Sequence, residues 1–169
     1  MAAPVKREKY ANRYRGRLTF GASAATGVQE SFNTGMNIGA GSAYKWTLLA
    51  ASIQPNTFAG LVVPSTFSLQ AQLAIGNQTG MLDQDDMQCI STVARSTYVS
   101  AGGANAIDWP LVFPIHSPIP VFAQALTISL VGTNVATLNS IEFAYDLWYV
   151  TSPVNKDEML EYLAAFGQV

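Results

Sequence analysis

His116 is the only histidine and Cys89 the only cysteine in the 169-residue chain, so nucleophilic, acid–base and metal chemistry have few places to start. A Ser-His-Asp or Cys-His arrangement needs an imidazole positioned between partners. His116 instead sits in "WPLVFPIHSPIP", where Pro110, Pro114, Pro118 and Pro120 remove ladder donors. The chain holds no His-Glu-x-x-His, no paired histidines and no Gly-x-Ser-x-Gly elbow. "GAGSAYKW" has the glycines of a phosphate loop but not its closing Gly-Lys-Ser/Thr, and it precedes a strand pattern, so it reads as a turn. A lone Cys89 excludes an internal disulfide framework and a Cys-based zinc cluster. It reads as a small strand hydrophobe.

Acids offer little more. Asp83, Asp85 and Asp86 in "DQDD" form the one acidic cluster. Calcium takes six to eight oxygen ligands, and these three carboxylates are its candidate ligands, shared between subunits. They lack the glycine and distal glutamate of an EF-hand, and a solvated loop accounts for them as well. Glu142 and Asp146 fall on one face of a strand pattern and read as its wet side. The chain is not expected to be an enzyme or to carry a cofactor.

The charge distribution is the stronger signal. Within residues 1–17, Lys6, Arg7, Lys9, Arg13, Arg15 and Arg17 stand against Glu8 alone. The remaining residues set three bases, Lys45, Arg95 and Lys156, against ten acids. Such asymmetry marks a basic tail that meets nucleic acid, an anionic membrane or an acidic neighbour. Tyr10 and Tyr14 interleave with the bases, a mixture that pairs with phosphates and stacks on bases. Seventeen extended residues reach about 55–60 Å, enough to cross a neighbouring subunit.

The elements that must position these groups are mostly strands. "TFSLQAQLAI" alternates Phe67, Leu69, Ala71, Leu73 and Ile75 against Thr66, Ser68, Gln70 and Gln72. "IEFAYDLWYV" alternates Ile141, Phe143, Tyr145, Leu147 and Tyr149 against Glu142, Ala144, Asp146 and Trp148. Further strands are expected over 44–53 and 121–131, and more weakly over 18–22, 27–33, 89–99 and 110–116. About eight strands with Gly, Asn and Pro punctuation predict a sandwich or barrel. "NKDEMLEYLAAFGQ" then predicts a short helix, with Asn155 as N-cap, Glu158 completing a capping box, and Met159, Leu160, Leu163 and Phe166 as an apolar stripe.

Charged residues make up 12% of the chain, about half the usual share, while apolar residues reach 49%. No apolar run approaches the ~18–20 residues of a membrane-spanning helix. Low charge with Trp46, Trp109 and Trp148 fits a domain that buries its surface against copies of itself.

A short basic arm, a Gly-punctuated eight-strand β domain, and "SIEFAYDLWYVTSP" running into "NKDEMLEYLAAF" together resemble the single jelly-roll coat proteins of small icosahedral viruses and phages. That resemblance implies an all-β fold, an eight-stranded antiparallel jelly-roll sandwich. A basic N-terminal arm (1–17) would precede the β domain (18–153), and a short C-terminal helix and tail (154–169) would follow it. It implies a self-assembling capsid subunit in the virion. Lys6, Arg7, Lys9, Arg13, Arg15 and Arg17 would contact genome, internal viral membrane or neighbouring subunits. Tyr10, Tyr14, Leu160, Leu163 and Phe166 would lie at subunit interfaces. Its partners would be many copies of itself, with a second coat protein, nucleic acid and an internal membrane as further candidates. The alternative is a virion decoration or spike protein, or a carbohydrate-binding jelly-roll module.

Overall fold

Period-two alternation decides the long strands, and the computed structural model places them in two stacked sheets. It describes residues 11–20, 27–35, 44–56, 61–62, 66–98, 110–133, 136–137, 141–155, 157–158 and 160–161. Within these residues lie β1 (Asn12–Phe20), β2 (Val28–Asn33), β3 (Tyr44–Pro55), β4 (Leu61–Val62), β5 (Thr66–Ile75), β6 (Cys89–Tyr98), β7 (Leu111–Val112), β8 (Ile119–Val121), β9 (Ala125–Thr133), β10 (Ala136–Thr137) and β11 (Ile141–Pro153). The first sheet runs β1-β11-β3-β7, with β8 also paired to β3. The second runs β2-β9-β5-β6, and β4 pairs with β10 in a small ribbon. Every pairing is antiparallel, and the chain passes repeatedly from one sheet to the other. This is the strand order of a jelly roll.

The proline-rich stretch resolves as two short pairings, β7 and β8, both on the edge of β3. The prolines between them lack N–H donors and interrupt what would otherwise be one strand.

Inward residues of the two sheets meet in one core. Leu48, Ile53, Tyr145 and Leu147 of the first sheet face Leu73, Leu126, Ile128 and Leu130 of the second, all with no measurable exposure. Each buried aliphatic side chain contributes roughly 1.5–3 kcal/mol relative to exposure. Near the β1–β2 side the core turns aromatic. The Tyr14 ring stacks on Phe32 with centroids 4.6 Å apart, and Trp46 stacks on Tyr149 at 3.7 Å.

The basic segment does not part from the sandwich at Arg17, where the arm was expected to end. Asn12 to Phe20 pairs along its whole length with β11, because Tyr14, Gly16 and Leu18 supply an inward row and the arginines an outward one. At Gly16 the inward position is filled by the facing Tyr145 ring. A Cβ added there would collide with Tyr145 Cζ and Oη. Lys6, Arg7, Lys9 and Tyr10 lie outside the described residues, as does Trp109.

The second sheet covers its own outer face. Gln72, expected on the open side of β5, is only 1% exposed because residues 76–88 fold back over it. Its Nε2 donates to the Leu82 carbonyl at 2.8 Å, and its Oε1 accepts from the Leu82 N–H at 2.7 Å. Thr127 Oγ1 donates to the Gly76 carbonyl and accepts from the Gln78 N–H at 3.0 Å. Gly76, at φ +83°, makes the left-handed turn that starts this return.

At the chain's far end, Asn155 Oδ1 accepts the Glu158 N–H at 2.7 Å, the N-cap bond expected from the sequence. Asp157, Glu158, Leu160 and Glu161 have helical backbone. Leu163 and Phe166 lie outside the described residues.

Candidate functional site

Three expected groups can be placed directly. His116 is exposed in the β7–β8 connection. Cys89 is half-buried with its Sγ 3.5 Å from Thr92 Oγ1. Asp83, Asp85 and Asp86 occupy an exposed turn closed by its own bonds, Asp86 N–H to the Asp83 carbonyl at 3.1 Å and Gln88 N–H to Asp86 Oδ1 at 2.8 Å. Among the described residues, no three His, Cys, Asp or Glu side chains gather to hold a metal. The acidic run is an exposed turn.

The arginines do converge, on the outer face of the first sheet. Strand geometry puts Arg13, Arg15 and Arg17 on one side of β1, and antiparallel register sets them beside Trp148, Asp146 and Ala144 of β11. Asp146 Oδ1 accepts from Arg13 Nε at 2.8 Å and Arg15 Nε at 3.0 Å. Its Oδ2 accepts from Arg13 Nη2 at 2.9 Å and Arg15 Nη2 at 3.1 Å. One carboxylate thus holds two guanidinium forks, an arrangement only the planar arginine side chain permits. Arg17 Nη1 reaches Glu142 Oε1 at 2.9 Å.

Asp146 is nearly buried, although its position on β11 points outward. Burial pushes its carboxyl upward, but the hydrogen bonds and charges of Arg13 and Arg15 outweigh that effect and hold it at about 2. Along β1 and β11, Arg13, Arg15 and Arg17 meet Asp146 and Glu142, which leaves one positive charge in surplus among these five groups. The Arg13 guanidinium also lies 5.2 Å from the centre of the Trp148 ring.

Next to these charges the face is apolar, and no described segment covers it. A β-bulge between β3 and β11 sets Leu49 and Ala50 against Trp148. Leu49, Trp148 and, one rung further, Val112 opposite Ser52 are exposed by 38%, 40% and 57%.

The other side of the same strands is different in kind. Tyr14, expected at a subunit interface, points into its own core against Phe32, Trp46 and Tyr145. Tyr145 Oη and Glu30 Oε2 are buried with no hydrogen-bond partner among the described residues. Burial pushes the Tyr145 phenol far above its ordinary range, and the Glu30 charge acts in the same direction. Sequence reading missed both the Asp146 clamp and the inward Glu30. The clamp's only sequence signal is alternation on both sides, Arg at 13, 15 and 17 and acids at 142 and 146, and it becomes legible once β1 is known to lie beside β11.

No protein-family model matches the chain, and no curated protein matches it. Its fold is similar to that of Merkel cell polyomavirus VP1 solved in complex with disialyllactose, with a TM-score of 0.50 at 7% identity, covering 89% of this chain and 98% of that one. It is similar also to the unassembled pentamer of Merkel cell polyomavirus VP1, with a TM-score of 0.50 at 6% identity and the same coverage. At this identity the likeness is one of fold: a two-sheet antiparallel sandwich extending over nearly the whole of both chains.

Proposed function

We propose that this chain is the structural subunit of a viral capsid, resident in the virion and working by assembly of many copies rather than by catalysis. The observation that carries the reading is the outer face of the first sheet, which no described segment covers, with Leu49, Val112 and Trp148 exposed on a domain that covers its second sheet with its own loop. Aromatic and aliphatic groups in a patch poor in Lys and Glu are what association surfaces contain. Closed symmetric packing hides such a patch without forming open fibres. The jelly-roll fold, similar to that of the VP1 capsid proteins, supports the same reading. An icosahedral shell, as in small viruses and phages, is the form of assembly proposed. Lys6, Arg7 and Lys9 are its contacts to genome, internal membrane or neighbouring subunits, since Arg13, Arg15 and Arg17 already hold carboxylates of their own sheet.

The test is a sizing column with negative-stain imaging of the purified protein at low and high salt. Closed particles or ring-shaped capsomers are expected. A clean monomer at every salt and protein concentration overturns the proposal.

A second reading is a decoration or carbohydrate-binding module, favoured by the disialyllactose bound to one of the structural neighbours. Glycan-array binding that disappears in Asp83→Ala and Asp86→Ala would select it.

A further inference from the structure

The two outer faces of the sandwich carry surfaces of matching kind on opposite sides of the molecule. Gln72 of β5 and Thr127 of β9 point outward and hold residues 76–88 through Leu82, Gly76 and Gln78. That loop is therefore the outer surface of the second sheet. Leu49, Val112 and Trp148 lie on the outer surface of the first. Both sheets and the core between them separate the two surfaces, so one copy cannot bring them together.

Each surface sets an apolar side chain beside charge. In the loop, "DQDDM" places Met87, 63% exposed, directly after Asp83, Asp85 and Asp86, and residues 76–88 hold no Lys or Arg. On the first sheet Trp148 lies beside Arg13, and Arg15 and Arg17 continue an exposed row along β1. Lys45 differs: it is only 18% exposed and holds Glu158, seven positions along β3 from Ser52. Asp157 and Glu161 of the same C-terminal turn add acid near that end. An acidic turn is therefore drawn to the arginine border and not to the Lys45 end. Pairing the first-sheet face with itself would bring arginine rows of one sign together, and pairing two loops would do the same with carboxylates. Only the mixed pairing joins opposite signs. Methionine's flexible thioether also adapts well to an aromatic ring such as that of Trp148.

We propose that the 83–87 turn of one copy docks on the outer face of the first sheet of a second copy. Met87 packs against Leu49, Val112 and Trp148, and the three aspartates turn toward Arg13, Arg15 and Arg17. The inference rests on the capsid reading only in requiring more than one copy. Each copy offers one surface of each kind, so the contact is head-to-tail and repeats, closing into a ring where the rotation per step allows.

The test joins two populations of the full chain, both with Cys89→Ser and each with its own affinity tag. One carries Gln84→Cys, exposed in the turn, and the other Ser52→Cys, which lies between Val112 and Asp146 in the register. Every residue of the proposed contact stays in place. Mixed under assembly conditions and treated with a short bismaleimide, they should give a covalent dimer bearing both tags. Adding Asp83→Lys and Asp85→Lys to the first population should cut its yield severalfold. An unchanged yield overturns the proposal, because the charge match selects this turn. A mixed dimer no more abundant than with Gln29→Cys, exposed on β2, in place of Ser52→Cys also overturns it. So does linking of position 52 to 52, or of 84 to 84, instead of 84 to 52. Particles that form with no link between 84 and 52 overturn the docking and leave the capsid reading intact. A linked dimer without particles supports the docking, and it is then the capsid reading that fails.

Discussion

The two sheets of this sandwich treat their outer faces in opposite ways. The second sheet buries Gln72, Thr127 and Ser129 under residues 76–88, and the buried amide and hydroxyl find partners in that loop. The first sheet has no such cover among the described residues. Asp146 is shielded by two arginine side chains, and Trp148, Leu49 and Val112 stay open. Buried polar groups must be satisfied wherever they are. An exposed apolar patch leaves no hydrogen bond unmade, and free energy is gained when another surface removes it from water. The second sheet is therefore finished by its own chain, while the first keeps an exposed apolar patch among the described residues.

The edge where the sheets meet supplies the sharpest way to break this contrast. Gly16→Val puts side-chain atoms into the space of the Tyr145 ring and should lift β1 from β11. The expected loss is about 3 kcal/mol, at the upper end of overpacking costs, measured by urea unfolding. A variant as stable as the parent would mean that Tyr145 has room to move and that β1 is not held by this fit.

Asp146→Asn tests the open face. Its carboxyl, held at about 2 against 3.8 for an unperturbed group, is depressed by folding. Its contribution is therefore complete above pH 3.8 and disappears as pH falls through about 2. At neutral pH the variant should lose about 2 kcal/mol, an upper figure because Arg13 and Arg15 are half-exposed and screened by solvent. Unfolding curves between pH 5 and pH 2 should show the gap between parent and variant closing. A gap that stays constant would assign the loss to packing rather than charge.

The covered face should respond least. Gln72→Leu leaves the Leu82 N–H and carbonyl without their amide, for a loss of about 1 kcal/mol. Hydrogen exchange should quicken over residues 77–88 and not along β11.

Legibility from sequence followed the same division. β5 and β11 alternate so strictly that their inward rows were readable residue by residue, because an antiparallel strand with one buried face writes its geometry into every second position. β1 was read as starting at residue 18, six residues too late. Its inward row is Tyr14, Gly16, Leu18, and the central member has no side chain to register as apolar, since Tyr145 from the next strand fills the space. The expectation that Gln72 is solvated failed for a tertiary reason: a loop whose own sequence reads as polar turn material folds onto it. The Asn155 cap was legible because all its determinants lie within four residues. The Asp146 clamp was not, because its partners are 131 and 133 positions away.

The tryptophans make the contrast optical. Trp46 is 5% exposed and stacked on Tyr149 inside the core, whereas Trp148 is 40% exposed on the outer face beneath Arg13. In a Trp109→Phe background their emissions report separate events. Dehydrating the outer face shifts Trp148 to the blue and leaves Trp46 unchanged, whereas opening the sandwich shifts Trp46 to the red. The chain thus carries its own two-colour record of whether it has met a partner or come apart.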